Sequence, residues 1–168
     1  MVDPWYTDPV VPVLARRRDA LVASLTDESE GPVLVLTGPP AAWPADAPPR
    51  AAHVVTVGWL AAAPDLDRAV AEVVERLDDT GWLHVVEPTA GRPPLARSQR
   101  LTSRVAQLRT GWHLGRDIPA ALRSAGLVVT DVERFAMPVS NTLLQPWVEA
   151  RARRRCASSD PARQEVAS

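Results

Sequence analysis

At 168 residues the chain has enough material for one domain with a real core and too little for two comfortable ones. Hydrophobic residues make up 46% and charged residues 23%, which excludes a fibrous or disordered chain, and a formal net charge of -1 excludes general attraction to nucleic acid or anionic membrane. All 19 basic residues are arginine and prolines number 17, a bias of GC-rich coding that is distinct from arginine-based phosphate recognition.

The first 18 residues mix acids and prolines where an export signal needs a basic start and an apolar run, and the longest apolar stretches are broken by Arg, Asp or Pro. The expectation is a soluble, cytoplasmic protein. From Pro9 to about Thr26, Val10, Leu14, Leu21, Val22 and Leu25 recur at helical spacing and predict a first helix. Pro32-Val-Leu-Val-Leu-Thr37 is a short apolar run suited to a buried parallel strand, ending in Gly38-Pro39-Pro40. Prolines 40, 44, 48 and 49 forbid a normal helix across the following stretch, which reads as a loop.

His53 to Val57 reads as a second strand. Pro64-Asp65 then starts a helix whose face is Leu66, Ala69, Val70, Val73, Val74 and Leu77, with Gly81 placed to end it. Trp82 to Val86 is a third strand, leading into Glu87-Pro88, so strand, helix and strand form a right-handed parallel crossover. Leu101, Val105 and Leu108 suggest an amphipathic helix ending before Gly111, and Asp117 caps a short helix through Ala125. A strand follows from Leu127 to Arg134, Met137 to Trp147 offers an antiparallel return, and the arginine-rich chain from residue 151 reads as a basic, disordered tail to a domain spanning residues 1–150.

Three stretches in this order resemble a class I S-adenosylmethionine-dependent methyltransferase of the type 11 kind. Val13 to Val22 with Val33 to Gly38 is similar to the family's first helix and first strand. His53 to Pro88 resembles its fourth strand, helix and fifth strand, and Gly111-Trp-His-Leu-Gly-Arg-Asp117 with Val132-Glu-Arg-Phe135 resembles its late helix and sixth strand. The resemblance implies an α/β fold with a reduced Rossmann-like sheet, mostly parallel, closed by an antiparallel C-terminal strand. Only 14 residues separate Gly38 from His53 (53 − 38 − 1), against roughly 30 for one βαβ unit, so strands two and three of the usual fold have no room. The expected glycine-rich turn is replaced by Thr37-Gly38-Pro39-Pro40, in which two residues lack an amide hydrogen.

Ligands of open α/β sheets gather outside the carboxyl ends of the strands. There Thr37, Gly38 and Trp59 are the candidates for holding S-adenosylmethionine, Glu87 and His113 for acid–base chemistry, and Trp112, Arg116 and Asp117 for holding a small-molecule substrate. Each has a plainer reading: Trp59 as core, Glu87 as the cap of a turn, Asp117 as a helix cap, Arg116 as a solvent or salt-bridge residue. His53, His84 and His113 lack the spacing of a metal helix, Cys156 stands alone, and the arginine run at 151–155 lacks interleaved aromatics, so neither metal nor nucleic acid is expected. A sheet lacking two strands exposes its first strand as an apolar edge, which predicts a homodimer or a partner chain, with Trp5, Trp43 and Trp147 as candidate covers. The functional expectation is a non-catalytic binding or accessory protein with a degenerate cofactor site. The alternatives are an active small-molecule methyltransferase with an altered site, or a cofactor-free enzyme working through His113 or Glu87.

Overall fold

The computed structural model describes residues 10–28, 31–139 and 141–155. Helix α1 (Val10–Glu28) precedes β1 (Val33–Leu36), β2 (Ala51–Val57), α2 (Leu66–Glu75) and β3 (Leu77–Pro88). Then come α3 (Leu95–Thr110), α4 (Ile118–Ser124), β4 (Leu127–Ala136) and β5 (Pro146–Arg154). The strands form one sheet in the order β1-β2-β3-β5-β4, in which β1, β2 and β3 are parallel and β5 lies antiparallel between β3 and β4. This is the expected reduced Rossmann-like sheet. Between β1 and β2 runs a connection with a single 3-10 turn at Pro40–Ala42 and no strand.

Alternation along the strands sorts the core into two layers. Leu34, Leu36, Val54, Leu83, Val85, Val148, Ala150 and Ala152 point to one face and pack with Ala69, Val70 and Val73 of α2 and Ile118 and Leu122 of α4. The Pro-rich connection adds Trp43 and Ala47 to that layer beside β1, where a crossover helix would otherwise sit. On the other face α1 lies against β1 and β2, and its Val13, Leu14 and Leu21 pack on a second cluster with Val86, Met137 and Trp147. Each fully buried Val, Leu, Ile or Met of these layers contributes about 1.5–3 kcal/mol relative to exposure.

Helix α2 starts where expected because the Asp65 carboxylate accepts the Arg68 amide at 3.1 Å. It stops earlier than the apolar pattern suggests. Leu77 already pairs with Ala51, so Gly81 lies inside β3, where residues 78–81 form a bulge between the Ala51–Leu77 and His53–Trp82 pairs.

Expectations about the C-terminal half are corrected. The antiparallel strand is Pro146–Arg154, whereas Met137–Gln145 holds a 3-10 turn at Thr142–Leu144. Arg151 to Arg154 are therefore sheet residues, and a tail can begin only after them; Cys156 and Ser158 to Ser168 lie outside the described residues, as does Trp5. Ala150 and Ala152 face the core while Arg151 and Arg153 lay their guanidiniums over Trp82, at 3.9 and 5.4 Å from the ring centre. This pairing of arginine with an aromatic ring lets the strand carry charge on its outer face. Trp147, expected as a cover for an edge, is a fully buried core residue whose indole N–H donates to the Leu144 carbonyl. Helix α3 ends before Gly111 as expected, but its apolar stripe faces outward: Leu101, Val105 and Leu108 are 79%, 56% and 88% exposed, and the helix buries Gln99 instead.

Candidate functional site at the carboxyl rim of the sheet

Five of the eight residues singled out from the sequence, Trp59, Glu87, Trp112, His113 and Arg116, meet at one turn, the Gly58–Pro64 segment at the carboxyl end of β2, and Asp117 follows them in the chain. Gly58 opens it with φ of +67°, a left-handed conformation that a side chain would strain, and donates its amide to the Val86 carbonyl at 3.0 Å. The turn then presents three successive amides to one carboxylate. Glu87, at the end of β3 and fully buried, accepts Trp59 and Leu60 on Oε1 at 3.0 Å each and Ala61 on Oε2 at 3.1 Å. Burial pushes the Glu87 carboxyl up to about 7, against the pull of those backbone bonds.

The carbonyl side of the same turn is held by Arg116. Its guanidinium donates to the carbonyls of Ala63 at 2.6 Å, Leu60 at 3.1 Å, Pro64 at 3.2 Å and Ala61 at 3.4 Å. The Arg116 carbonyl meanwhile accepts the Ala90 amide at 2.8 Å and the Thr89 hydroxyl at 3.2 Å, tying in the exit from β3. A planar fork with five N–H donors suits this task of collecting diverging carbonyls. The His113 amide donates to the Ala61 carbonyl at 2.9 Å, and the Trp112 indole donates to the Gly58 carbonyl at 3.0 Å while meeting Trp147 edge-on. Asp117 caps α4 through Ala120. The His113 Nε2 atom is buried without a hydrogen-bond partner, and burial followed by the nearby Arg116 charge lowers its pKa. Glu87 and Arg116 thus build the rim, with Trp59 only 5% exposed and edge-on to Trp43 in the core beneath it.

The other two, Thr37 and Gly38, lie apart at the end of β1. Gly38 gives its carbonyl to the Trp43 indole N–H at 2.7 Å, which folds the connection back onto the sheet, and Pro39 and Pro40 follow without amide hydrogens. No α-helix begins there, so no helix dipole faces the end of β1. Thr37 instead lines an open cleft of about 510 Å³ between α1 and the outer side of β1, with Arg18, Asp19, Val22, Ala23 and Val35. The cleft residues of α1 carry no sequence signal beyond helical amphipathicity. Gln99 was equally invisible: its amide bridges the Leu143 and Thr89 carbonyls and accepts the Gly91 amide, fixing the loop between β3 and α3. Among the described residues no group of three or more His, Cys, Asp or Glu side chains is placed to hold a metal ion, and no helix is long and apolar enough to cross a membrane.

No protein-family model and no curated protein matches the sequence. Solved structures do share the fold. LepI, solved in complex with S-adenosylmethionine, is similar over 84% of this chain and 41% of its own length at 12% identity, with a TM-score of 0.54. The YcgJ protein of Bacillus subtilis is similar over 64% and 65% at 13% identity, with a TM-score of 0.50, and the mitomycin 7-O-methyltransferase MmcR over 86% and 40% at 19% identity, with a TM-score of 0.46. The chain spans about 40% of the length of LepI and MmcR. Its strand order and the likeness to LepI agree on one conclusion: the chain has the Rossmann-like fold of the class I S-adenosylmethionine-dependent methyltransferases.

Proposed function

We propose that this protein uses a methyltransferase fold without the usual S-adenosylmethionine cradle and acts as a non-catalytic binding or accessory protein. The observation that carries this reading is the end of β1. A nucleotide-like cofactor in this fold class is met by backbone amides at a glycine-rich turn and a following helix N-terminus. Here that position holds Pro39 and Pro40, a 3-10 turn, and a tryptophan that occupies the Gly38 carbonyl. The residues present do not fit the cofactor.

The rim supports the same reading. Glu87 and Arg116 spend their hydrogen bonds on the Trp59–Pro64 turn, which makes them positioning residues for that loop. The accessory role has a surface available in β1. The His53 amide donates to the Pro32 carbonyl, so alternate residues Val33, Val35 and Thr37 turn their main-chain groups away from β2, toward an unpaired edge. A second copy or another chain pairing there would complete the sheet.

The second reading, an active small-molecule methyltransferase with an altered site, is favoured by the cleft at Thr37, where Arg18 and Asp19 offer both charges beside an apolar wall. Isothermal titration of the folded protein with S-adenosylmethionine and S-adenosylhomocysteine separates the two, with molecular mass recorded in parallel. No saturable heat is expected. Micromolar, saturable binding that is lost in Thr37→Arg would overturn the first reading and establish the second.

A further inference from the structure

The two edges of the sheet are finished differently. On β4 the register shifts between Val129 and Asp131, and Thr130, Asp131, Glu133 and Arg134 are all exposed, so a bulge and charged side chains discourage another strand from adding there. β1 has neither protection: Val33–Leu36 pairs with β2 in unbroken register and carries no charge. An open cleft of about 510 Å³ adjoins its outer side.

The main-chain groups on that edge are self-complementary. Val33, Val35 and Thr37 turn amide and carbonyl away from β2, and no other described residue bonds them. Gly31, at φ of +153° in a bend, and Pro39, without an amide hydrogen, close this series at equal sequence distance on either side of Val35. In an antiparallel ladder, two residues whose groups face each other exchange both hydrogen bonds. A two-fold axis at Val35 sets Val35 against its own copy and Val33 against Thr37 of the second copy, which uses every outward donor and acceptor. The next register with the same facing leaves some of them without partners. Parallel addition would leave a further open edge and no closed assembly.

Charge selects the same occupant. Arg18 and Asp19 of α1 line the cleft together with Val35 and Thr37, so each copy brings both signs to the edge. A partner of one sign would attract one of these residues and repel the other, whereas a second copy offers both in return.

We propose that β1 is a dimer seam: two copies of this chain pair antiparallel over Val33–Thr37 about a two-fold axis at Val35, joining their sheets into one. The inference rests on the accessory role proposed for this edge and names its occupant as a second copy.

The test combines molecular mass with a disulfide trap in the full chain, in a Cys156→Ser background. Across the axis two Val35 residues have Cα atoms about 5.5 Å apart, within reach of a disulfide, whereas two Val33 residues lie roughly 14 Å apart. Light scattering at micromolar concentration is expected to give the mass of a dimer. Mild oxidation should link Val35→Cys chains at least tenfold faster than Val33→Cys chains, and Val33→Cys/Thr37→Cys should recover the fast rate. A monomer at every concentration would overturn the seam, and so would a dimer in which Val35→Cys and Val33→Cys react equally, since its contact lies elsewhere. Cofactor titration on the same samples separates the two readings. Saturable S-adenosylmethionine binding by a protein that also traps at Val35 would overturn the accessory role and uphold the seam; a monomer that binds no cofactor would do the reverse.

Discussion

The two connections that leave the parallel strands are built in opposite ways. After β2, the chain makes a tight turn gripped from both sides, with Glu87 on three of its amides and Arg116 on its carbonyls. After β1, it makes a Pro-rich return attached by the Trp43 indole bond, by Arg76 donating to the Pro48 carbonyl, and by two partly buried side chains, Trp43 and Ala47. The first connection is over-determined and feeds a crossover helix; the second is short, lacks a helix and leaves a strand edge beside it. The β2–β3 side of the rim is therefore the more heavily bonded of the two, and the β1 side carries the unpaired strand edge.

The largest break in that contrast should come from Glu87→Ala. It leaves three buried amides without an acceptor and should cost about 3–5 kcal/mol, read as a lower urea midpoint. The milder Glu87→Gln sharpens the point through pH. A carboxyl near 4.5 when unfolded and about 7 when folded makes the native state bind more protons between those values, so its contribution to stability falls as pH rises through that window. His84 acts in the opposite sense. Burial, then His53 and Arg151, lower it to about 4, so the unfolded chain binds more protons between about 4 and 6.5 and stability rises with pH there. The wild type should show a shallow net slope from pH 4.5 to 6.5, and Glu87→Gln a clear rise. Identical slopes in parallel urea titrations would show that Glu87 does not titrate in this range.

Arg116→Met comes next. It keeps the stem and removes the donors to the turn, with an expected loss of about 2 kcal/mol and faster amide exchange at residues 60–64. Trp43→Phe should have the smallest effect. It deletes the bond to the Gly38 carbonyl but keeps an aromatic ring against Trp59, so about 1 kcal/mol is expected, with faster exchange confined to residues 38–50. If Trp43→Phe destabilised the protein as much as Arg116→Met, the contrast between the two connections would fail.

Much of the architecture was legible before any coordinates. The β2–α2–β3 unit could be read from its apolar periods and the Asp65 cap, and the 14-residue gap after Gly38 left no room for two further strands. Part of the sequence list does come together: Trp59, Glu87, Trp112, His113 and Arg116 meet at the Gly58–Pro64 turn. Their orientations were not legible. Whether a carboxylate faces a ligand or a loop depends on amides of a turn 26 to 28 residues earlier, a relation that local spacing cannot express. The same holds for β5, whose alternating Ala and Arg carried a period of two that the charge obscured until Trp82 supplied a surface for the guanidiniums.

The sequence by itself determined which segments are helix and which are strand across residues 33–76 and 82–125, because periodicity, caps and prolines act within one turn or one pleat. It also determined that the connection after β1 could hold no helix of ordinary length, since proline removes donors wherever it stands. Tertiary structure alone decided that β5 inserts between β3 and β4, that α3 turns its apolar ridge outward, and that Glu87 and Arg116 face each other across a turn. Those outcomes depend on which distant surfaces compete for the same side chains, and burial is settled by that competition.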